Sequence, residues 1–291
     1  MANALSLTWS CTWPQPTVAG QTSQTGGLLK RDRADENARR FQAWQLAALD
    51  AHPAGTDLLS FGPFRAVVPD LRQPGAWVTL VEGSVDEGET KQAVAGLRLV
   101  FLKRKAQLEI EYNEALFPQV GAWLEAAGLT LAERNPLMAC RPDGFMPSAA
   151  PQVIVHRLTT VSDAADLNGF QTLRWTNGGD NEEKVPPAEQ LKKQLASEAS
   201  VYLLAWLDGE RAGTGVSHSL KGAAEIVGVV TRKDKRRRGV AATVTSELVA
   251  RHFAASGDFV FLDAANDEAA RVYERLGFTG FGDNVVYRGR P

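Results

Sequence analysis

The sequence has few of the residues that build disulfide frameworks or metal centres. Its two cysteines, Cys11 and Cys140, lie far apart and form no C-x-x-C unit, which argues against a disulfide framework or a cysteine zinc site. Its four histidines, at positions 52, 156, 218 and 252, are scattered and form no cluster of metal ligands. We therefore expect neither a structural disulfide nor a bound metal.

Long apolar runs and an extreme charge are also missing. No run approaches the roughly 18 apolar residues that a membrane-spanning helix needs, and the first residues lack the basic and apolar regions of a signal peptide. The net charge of −2 gives no whole-molecule field that would attract nucleic acid or a membrane. We therefore expect a cytoplasmic protein, monomeric or homodimeric, that binds neither nucleic acid nor membrane.

Several catalytic motifs are absent as well. The sequence contains no H-E-x-x-H, G-x-S-x-G or G-K-[ST] element. Gly213-Thr-Gly215 lacks the third glycine and the strand-to-helix context of a dinucleotide fingerprint. The sequence therefore gives no support for a zinc protease, a serine hydrolase, a P-loop nucleotidase or a dinucleotide-binding enzyme.

The stretch from Glu225 to Ser246 carries the strongest signal for a ligand site. A run of β-branched residues leads into the basic segment 232–238, which holds six cations and one aspartate, a local charge of +5. Gly239 ends this segment and an amphipathic helix follows. The free amides and positive macrodipole of a helix N-terminus favour a phosphate, and small residues let it approach. The pattern predicts a strand, a basic loop and a helix that bind a phosphate-bearing ligand.

Two short motifs lie in this half of the chain, with one predicted helix between them. The first is Arg236-x-x-Gly239-x-Ala241. The second consists of Asn266, Ala270, Tyr273, Gly277 and Phe278. They resemble the R/Q-x-x-G-x-G/A pyrophosphate loop and, with one residue of slack around the alanine, the closing N-x-x-A-x-x-x-Y-x-x-x-G-F element of the GNAT superfamily of acyl-CoA N-acyltransferases.

The resemblance implies a cofactor site and a proton donor. Its implied co-substrate is acetyl-CoA, with no metal. The implied coenzyme A-binding residues are Val229, Val230, Thr231, Arg236, Arg237, Arg238, Gly239, Val240, Ala241, Asn266 and Tyr273. Tyr273 matches the phenol that protonates the departing thiolate, because a phenol with a pKa near 10 stays protonated at neutral pH. The alternative interpretation of Tyr273 is a core tyrosine at helical spacing.

The sequence leaves the identity of the general base open. Glu225 matches the strand position where the family often places an acidic base, and strand alternation puts it on the same face as Val227 and Val229. His218 and Asp263 are competitors, and a water chain without a single base is a further alternative. The acidic segment Asp180–Glu183 would favour a cationic amine if it covers the acceptor site, although a plain solvated loop fits it as well.

The length of 291 residues predicts two domains. The segment 141–151 is rich in proline, glycine and small residues and reads as a linker. The resemblance implies an α/β fold of two GNAT-like modules in tandem, each a mixed central sheet flanked by helices. Residues 1–148 would form a degenerate N-terminal module and 152–291 the catalytic one. An unrelated α/β accessory domain is the alternative for the first half.

Local patterns in the first half support this division. A strand at 108–112, a helix and Gly128 echo the later strand, helix and Gly277, with Leu124 opposite Tyr273. A helix is predicted from 32 to 51, and strands at 66–68, 77–81 and 93–102, the last after a polar loop.

These observations predict an N-acetyltransferase that moves an acetyl group from acetyl-CoA to the primary amine of a small molecule by direct attack. The alternative on the same fold is a non-catalytic acyl-CoA-binding or regulatory protein. A third hypothesis, nucleic-acid binding by the arginine-rich loop, predicts an affinity that falls steeply with salt.

Overall fold

The computed structural model describes residues 24–51, 56–69, 77–80, 85–176 and 185–289. The helices are α1 (Gln24–Asp50), α2 (Glu87–Lys103), α3 (Val120–Ala126), α4 (Ala164–Trp175), α5 (Ala188–Leu195), α6 (Val240–Ala254) and α7 (Asp267–Glu274). The strands are β1 (Thr56–Phe61), β2 (Phe64–Pro69), β3 (Trp77–Leu80), β4 (Leu108–Asn113), β5 (Leu129–Cys140), β6 (Val153–Arg157), β7 (Ser200–Leu207), β8 (Glu210–Leu220), β9 (Ala223–Thr231), β10 (Phe259–Asp263) and β11 (Thr279–Gly289). Mixed strand pairing and flanking helices confirm the predicted α/β class.

The chain packs into two units, and neither coincides with one continuous stretch of sequence. Unit 1 contains the described residues up to Leu137, together with 264–266 and the chain from Gly280 onward. Unit 2 contains Met138–Asp263 and Asp267–Thr279. The packing thus assigns 138–151 to unit 2 and most of β11 to unit 1. The predicted division into modules 1–148 and 152–291 stays a prediction, because compactness does not test where an evolutionary module begins.

The last strand of the chain completes the sheet of unit 1. The strand order there is β1-β2-β3-β4-β11-β5, so that β11 lies between β4 and β5. It pairs antiparallel with β4 from Asn284 opposite Asn113 to Gly289 opposite Leu108. The guanidinium of Arg288 holds two carboxylates, those of Glu109 and Glu133, each at 2.6 Å.

The strand predicted at 93–102 is wrong, because these residues lie in the helix α2. Asp86 caps this helix, and its carboxylate accepts a hydrogen bond from the Glu89 amide at 2.9 Å. The buried side chains recur every three or four residues, at Thr90, Ala93, Val94, Leu97 and Phe101. An apolar run of this length fits either a buried strand or a helix, and only the cap and the packing decide.

Other predictions for the first half succeed in part. Helix α1 begins at Gln24, earlier than predicted, and the sequence patterns missed the strands β1 and β5. The echo between the halves is visible in local structure. Strand β4 and helix α3 are followed by Gly128 with φ +79°, as β10 and α7 are followed by Gly277 with φ +92°. Leu124, opposite Tyr273 in this comparison, is fully buried.

Unit 2 is built on the strand order β10-β9-β8-β7-β6. The pairs β6–β7, β7–β8 and β8–β9 are antiparallel and β9–β10 is parallel. Phe170 and Leu173 of α4 and Leu191 of α5 pack with Tyr202, Leu204 and Val216 in one apolar cluster. Helix α6 packs on the opposite side of β8, where alternate residues point.

Two glycines bring α6 close to the sheet. A Cβ on Gly213 would lie 2.6 Å from Cγ1 of Val240, and one on Gly215 would lie 2.5 Å from Cγ1 of Val244. The Gly213-Thr-Gly215 sequence therefore has a packing role, since any side chain there would push the first turns of α6 outward. These two contacts hold the first turns of α6 against β8.

Candidate active site

The loop between β9 and α6 has a backbone that can bind an anion. It contains a short 3-10 turn at Lys233–Lys235 and ends where Gly239 begins α6 with φ +84°. Arg236 is extended, with φ −64° and ψ 161°, whereas Arg237 has φ +59°. The positive φ values at Arg237 and Gly239 turn the chain directly before α6, whose first N–H groups have no acceptor within the helix.

The last amides of this loop and the first amides of α6 have no acceptor among the described residues. The first backbone hydrogen bond of α6 runs from the Thr243 amide to the carbonyl of Gly239, at 2.9 Å. The amides of residues 237–242, by contrast, donate no hydrogen bond to a described protein group. Free amides at the start of a helix of 15 residues, with the macrodipole positive at that end, suit a diphosphate.

The cations of the loop fall into two groups. Arg232, Lys235 and Arg238 form ion pairs with the carboxylates of the β7–β8 turn, Asp208 and Glu210. These two carboxylates reduce the local charge of the basic segment from +5 to +3. Within the described chain, Lys233, Arg236 and Arg237 have no such ion pair and carry the remaining charge.

These ion pairs shift the pKa values of the two carboxyl groups. The pKa of Asp208 is lowered, first by its hydrogen bond with Arg238, and that of Glu210 by its hydrogen bonds with Lys235 and Arg232. Both carboxylates stay ionised at neutral pH and hold three cations on the side of this turn. The side chain of Arg238 is thus engaged with Asp208, and the predicted role of Arg238 rests on its backbone amide.

The segment 141–151 lies against both sequence motifs and is not a free linker. The Ala150 amide donates to Oγ1 of Thr243, and the Ser148 amide donates to Oγ of Ser246, each at 2.9 Å. A Cβ on Gly239 would lie 2.7 Å from the Cβ of Ala150. Gly239 is therefore needed for its positive φ and for this contact, in addition to any approach of a ligand.

Strand β9 has an open edge next to the loop. Its parallel pairing with β10 extends only from Ala223 opposite Phe259 to Glu225 opposite Phe261. From residue 226 to the end of β9 no pairing with β10 occurs in the described structure. Val229, Val230 and Thr231 lie on this free part of the strand. An extended ligand arm could bond to its backbone as an added strand would.

A bulge at Gly228 changes which way the side chains of β9 point. The β8 pairing shifts register between Thr214 and Val216, and Gly228 has φ +60°. Val227 packs against the α4–α5 cluster, whereas Val229 lies near the space above Gly215, on the α6 side. The prediction that Glu225, Val227 and Val229 share one face is therefore wrong for Val229, because the extra residue breaks the alternation.

Glu225 and His218 are direct neighbours across β8 and β9. Nδ1 of His218 lies 2.8 Å from Oγ of Ser200. Burial, together with the charge of Arg174, lowers the pKa of His218 to about 4. The imidazole is neutral at pH 7 but holds a proton weakly, which makes it a poor general base. This favours Glu225 over His218 among the candidate bases.

Tyr273 lies in α7 and its side chain is buried, with its ring 5.9 Å from that of Phe278. Burial raises the pKa of Tyr273 to about 12. The phenol therefore remains protonated well above neutral pH, as a proton donor must. The other candidates are Asp263, exposed at the end of β10, and Asn266, which comes directly before α7 and is grouped with unit 1. Their roles stay predictions.

Arg174, in the last turn of α4, was missed by sequence reasoning. Its Nε is buried without a hydrogen-bond partner, close to the bulge at Gly228. Nothing local distinguishes it from any basic residue near a helix C-terminus, and only the fold brings it to β9. The acidic segment Asp180–Glu183, which the sequence suggested as a cover for the acceptor site, lies outside the described residues.

Two absences among the described residues bear on metals and membranes. No group of three or more histidine, cysteine, aspartate or glutamate side chains in this part of the chain could hold a metal ion. Among the described helices, none combines the length and apolarity that crossing a membrane requires. The expectation of a metal-free site stays a prediction.

Comparison with known proteins agrees with the two motifs. Residues 167–278 match the family model described as the acetyltransferase (GNAT) family. This range contains β7 to β10, the basic loop, α6 and α7. No curated protein matches the sequence significantly.

Solved structures share the fold over most of the chain. A GCN5-related N-acetyltransferase from Kribbella flavida is 21% identical, with a TM-score of 0.70 over 87% of this chain and 96% of that one. A GCN5-related N-acetyltransferase from Sphaerobacter thermophilus is 19% identical, with a TM-score of 0.61 over 79% and 78%. A tandem GNAT protein from the clavulanic acid biosynthesis pathway is 19% identical, with a TM-score of 0.59 over 88% and 95%.

At these identities the structures show a common fold, and the family model supplies the sequence match within it. The resemblance predicted from the two motifs is confirmed. This chain carries a domain of the acetyltransferase (GNAT) family over residues 167–278, in a fold that it shares with a tandem GNAT protein.

Proposed function

We propose that this protein is an N-acetyltransferase that transfers the acetyl group of acetyl-CoA to a primary amine of a small molecule. The observation that carries the proposal is the row of amides at residues 237–242, which has no protein acceptor in the described chain. That row follows an open strand edge and lies inside the range that matches the GNAT family. A diphosphate with an extended arm fits both features.

Acetyl-CoA would bind along the loop and the strand edge. The amides of 237–241 and the side chain of Arg236 would hold the diphosphate, with Arg237 adding positive charge. The pantetheine arm would pair with the backbone of Val229 to Thr231, where β9 has lost its parallel neighbour. This arrangement places the thioester toward the middle of the sheet, near Glu225 and the bulge at Gly228.

The chemistry needs a neutral amine and a protonated leaving group. The amine nitrogen attacks the thioester carbonyl carbon, a C–N bond forms, and the C–S bond breaks. Glu225, directly or through water, takes the proton that the amine loses, and the Tyr273 hydroxyl gives a proton to the coenzyme A thiolate. Both residues then exchange protons with water, which restores the starting state. Asn266 would contact coenzyme A by its side chain.

The loop assignment is tested by a pair of substitutions at Ala241, in the first turn of α6. Ala241→Glu places a carboxylate where a phosphate is proposed to bind, while an acidic residue in a first helical turn does not destabilise the helix. We expect the Kd for coenzyme A to rise at least about tenfold, because like charges repel strongly at a binding site. Ala241→Gln, of equal length and without charge, should have a much smaller effect. Equal affinities in both variants and wild type would contradict the assignment.

Catalysis is separated from mere binding by thiol release from acetyl-CoA with a panel of primary amines. An enzyme releases thiol only when an amine accepts the acetyl group. A non-catalytic acyl-CoA-binding protein binds coenzyme A, releases none, and is indifferent to Tyr273→Phe. Binding of nucleic acid by the loop would instead give a complex that coenzyme A does not displace and that weakens steeply with salt.

A further inference from the structure

Arg174 is a partly buried cation that the proposed acetyl transfer does not use. It lies in the last turn of α4, and the residue as a whole is half-buried. Its Nε is inaccessible and has no hydrogen-bond partner. Among the described residues, no carboxylate forms an ion pair with it, although the charge of Glu225 acts on it from a distance. Burial lowers the pKa of the guanidinium, because the loss of hydration disfavours its charged form.

The surroundings of Arg174 connect it to the proposed reaction site. A Cβ on Gly228 would lie 3.1 Å from its Nε, so the guanidinium packs closely against the bulge and would have to shift if a side chain were added there. Gly228 directly precedes Val229, where the pantetheine arm is proposed to bind. The rings of Tyr202 and His218 pack edge to face with centroids 6.2 Å apart. Burial raises the pKa of Tyr202 and lowers that of His218, and the charge of Arg174 acts to lower the pKa of both. Polar groups from three elements thus meet on the α4 side of β9.

A partly buried guanidinium with an unsatisfied Nε and no paired anion is costly, and proteins rarely keep one that has no use. The planar fork of arginine matches a carboxylate with two parallel hydrogen bonds. A carboxylate on a bound ligand would pair with the part of the guanidinium that is not buried and would restore charge balance. Glu225 acts on the guanidinium through its charge, which raises the pKa, and not through a hydrogen bond.

We propose that Arg174 binds a carboxylate carried by one of the two reacting ligands, beside the bulge at Gly228. The carboxylate belongs either to an acceptor of the amino-acid class or to a dicarboxylic acyl chain. This inference rests on the proposed function and narrows its substrate class.

The first arm of the test compares acceptors that differ only in the carboxylate. Thiol release from acetyl-CoA is measured with a panel of amino acids and with the corresponding amino-acid amides. The second arm compares succinyl-CoA with butyryl-CoA against the same amines. We expect one arm to show a preference for the carboxylate of about tenfold or more in kcat/KM, the range of a charge-assisted hydrogen bond. The arm that shows it identifies the source.

Variants then assign the preference to Arg174. Arg174→Met should remove it and Arg174→Lys should reduce it, both without a change in the Kd for coenzyme A. Arg211→Met is the matched control. Arg211 lies in the same unit, bonds through Nε to Asp166 at 2.9 Å and covers the ring of Trp206 at 4.8 Å. Loss of this cation should leave the preference intact. If Arg174→Met fails to fold, the reduced preference in Arg174→Lys carries the test.

A readout that does not need turnover is the affinity of N-acetylglycine and N-acetylglycinamide for the protein saturated with coenzyme A. If the acceptor carries the carboxylate, N-acetylglycine should bind more tightly than the amide in wild type, with a smaller difference in Arg174→Lys and none in Arg174→Met. The inference is overturned if wild type prefers neither the amino acids over their amides nor succinyl-CoA over butyryl-CoA, or if Arg174 variants affect both members of each pair equally. Failure of the proposed function would show separately, as the absence of coenzyme A binding.

Discussion

Tyr273 illustrates how burial prepares a single residue for acid catalysis. Its environment consists of the second motif itself, since Phe278 packs on its ring and the amides of Leu276 and Phe278 bond to its carbonyl at 2.9 and 3.1 Å. Desolvation raises the pKa of the phenol to about 12 because the phenolate would lose its hydration. A donor in this state is weakly acidic but always protonated.

The residue-scale prediction concerns the pH dependence of kcat. A group acts as an acid below its pKa, so a pKa raised from 10 to about 12 moves the loss of activity to higher pH. We expect kcat to rise with deprotonation of the base and then stay level up to about pH 10.5, below the raised pKa. Tyr273→Phe should lower kcat about 100-fold, at the lower end of a general-acid contribution. A fall in wild-type kcat centred near pH 10, the ordinary phenol pKa, or an unaffected variant, would contradict the assignment.

At the scale of elements, the backbone of the segment 141–151 contacts both motif regions. The Met146 amide donates to the carbonyl of Leu276 at 3.0 Å, and directly after the segment Nε2 of Gln152 donates to the carbonyl of Arg238 at 3.2 Å. A Cβ on Gly277 would lie only 1.8 Å from the carbonyl oxygen of Gly144. The glycine of the second motif thus serves this packing as well as the turn after α7.

The element-scale prediction separates backbone strain from collision. Gly277 and Gly209 both have positive φ, +92° and +75°, but nothing lies within 4 Å of a Cβ on Gly209. Gly209→Ala should reduce the free energy of unfolding by the conformational cost alone, about 1–2 kcal/mol. Gly277→Ala should cost clearly more, because the backbone of Gly144 must move. Urea unfolding of the two variants measures the difference. Equal losses of unfolding free energy would contradict the prediction, because they would show that the segment 141–151 moves away without cost.

At the scale of the whole molecule, the last strand belongs to the same unit as the first described elements. Strand β11 lies between β4 and β5 in the sheet of unit 1, and Arg288 bonds there to Glu109 and Glu133. Val285 and Tyr287 belong to the apolar core of the same unit. A first half cut from the rest of the chain would therefore lack an interior strand, not an edge strand.

The prediction at this scale is that residues 24–150 do not fold alone. Without β11, the facing edges of β4 and β5 keep unpaired backbone groups and an exposed apolar core. The control is the same fragment with residues 279–291 joined through a flexible linker, which should unfold cooperatively on heating. Circular dichroism and size-exclusion chromatography distinguish the two. Cooperative unfolding of both fragments would show that β11 is dispensable for unit 1.

The sequence by itself determined the elements that local chemistry specifies. The β-branched run before a basic segment predicted β9, and Gly239 marked the start of α6. The two motifs led to the family that the comparison then confirmed. Each of these depends on neighbours within a few residues, which is the range over which sequence patterns report reliably.

Only the tertiary structure decided what depends on distant contacts. The run at 93–102 forms a helix because of its cap and its buried contacts. A bulge opposite β8 reverses the face of Val229, and most of β11 belongs to unit 1. The tertiary structure also brought Arg174 to Gly228, far along the chain, and neutralised part of the basic loop with Asp208 and Glu210. These outcomes follow from packing between segments far apart in sequence, and no local pattern records them.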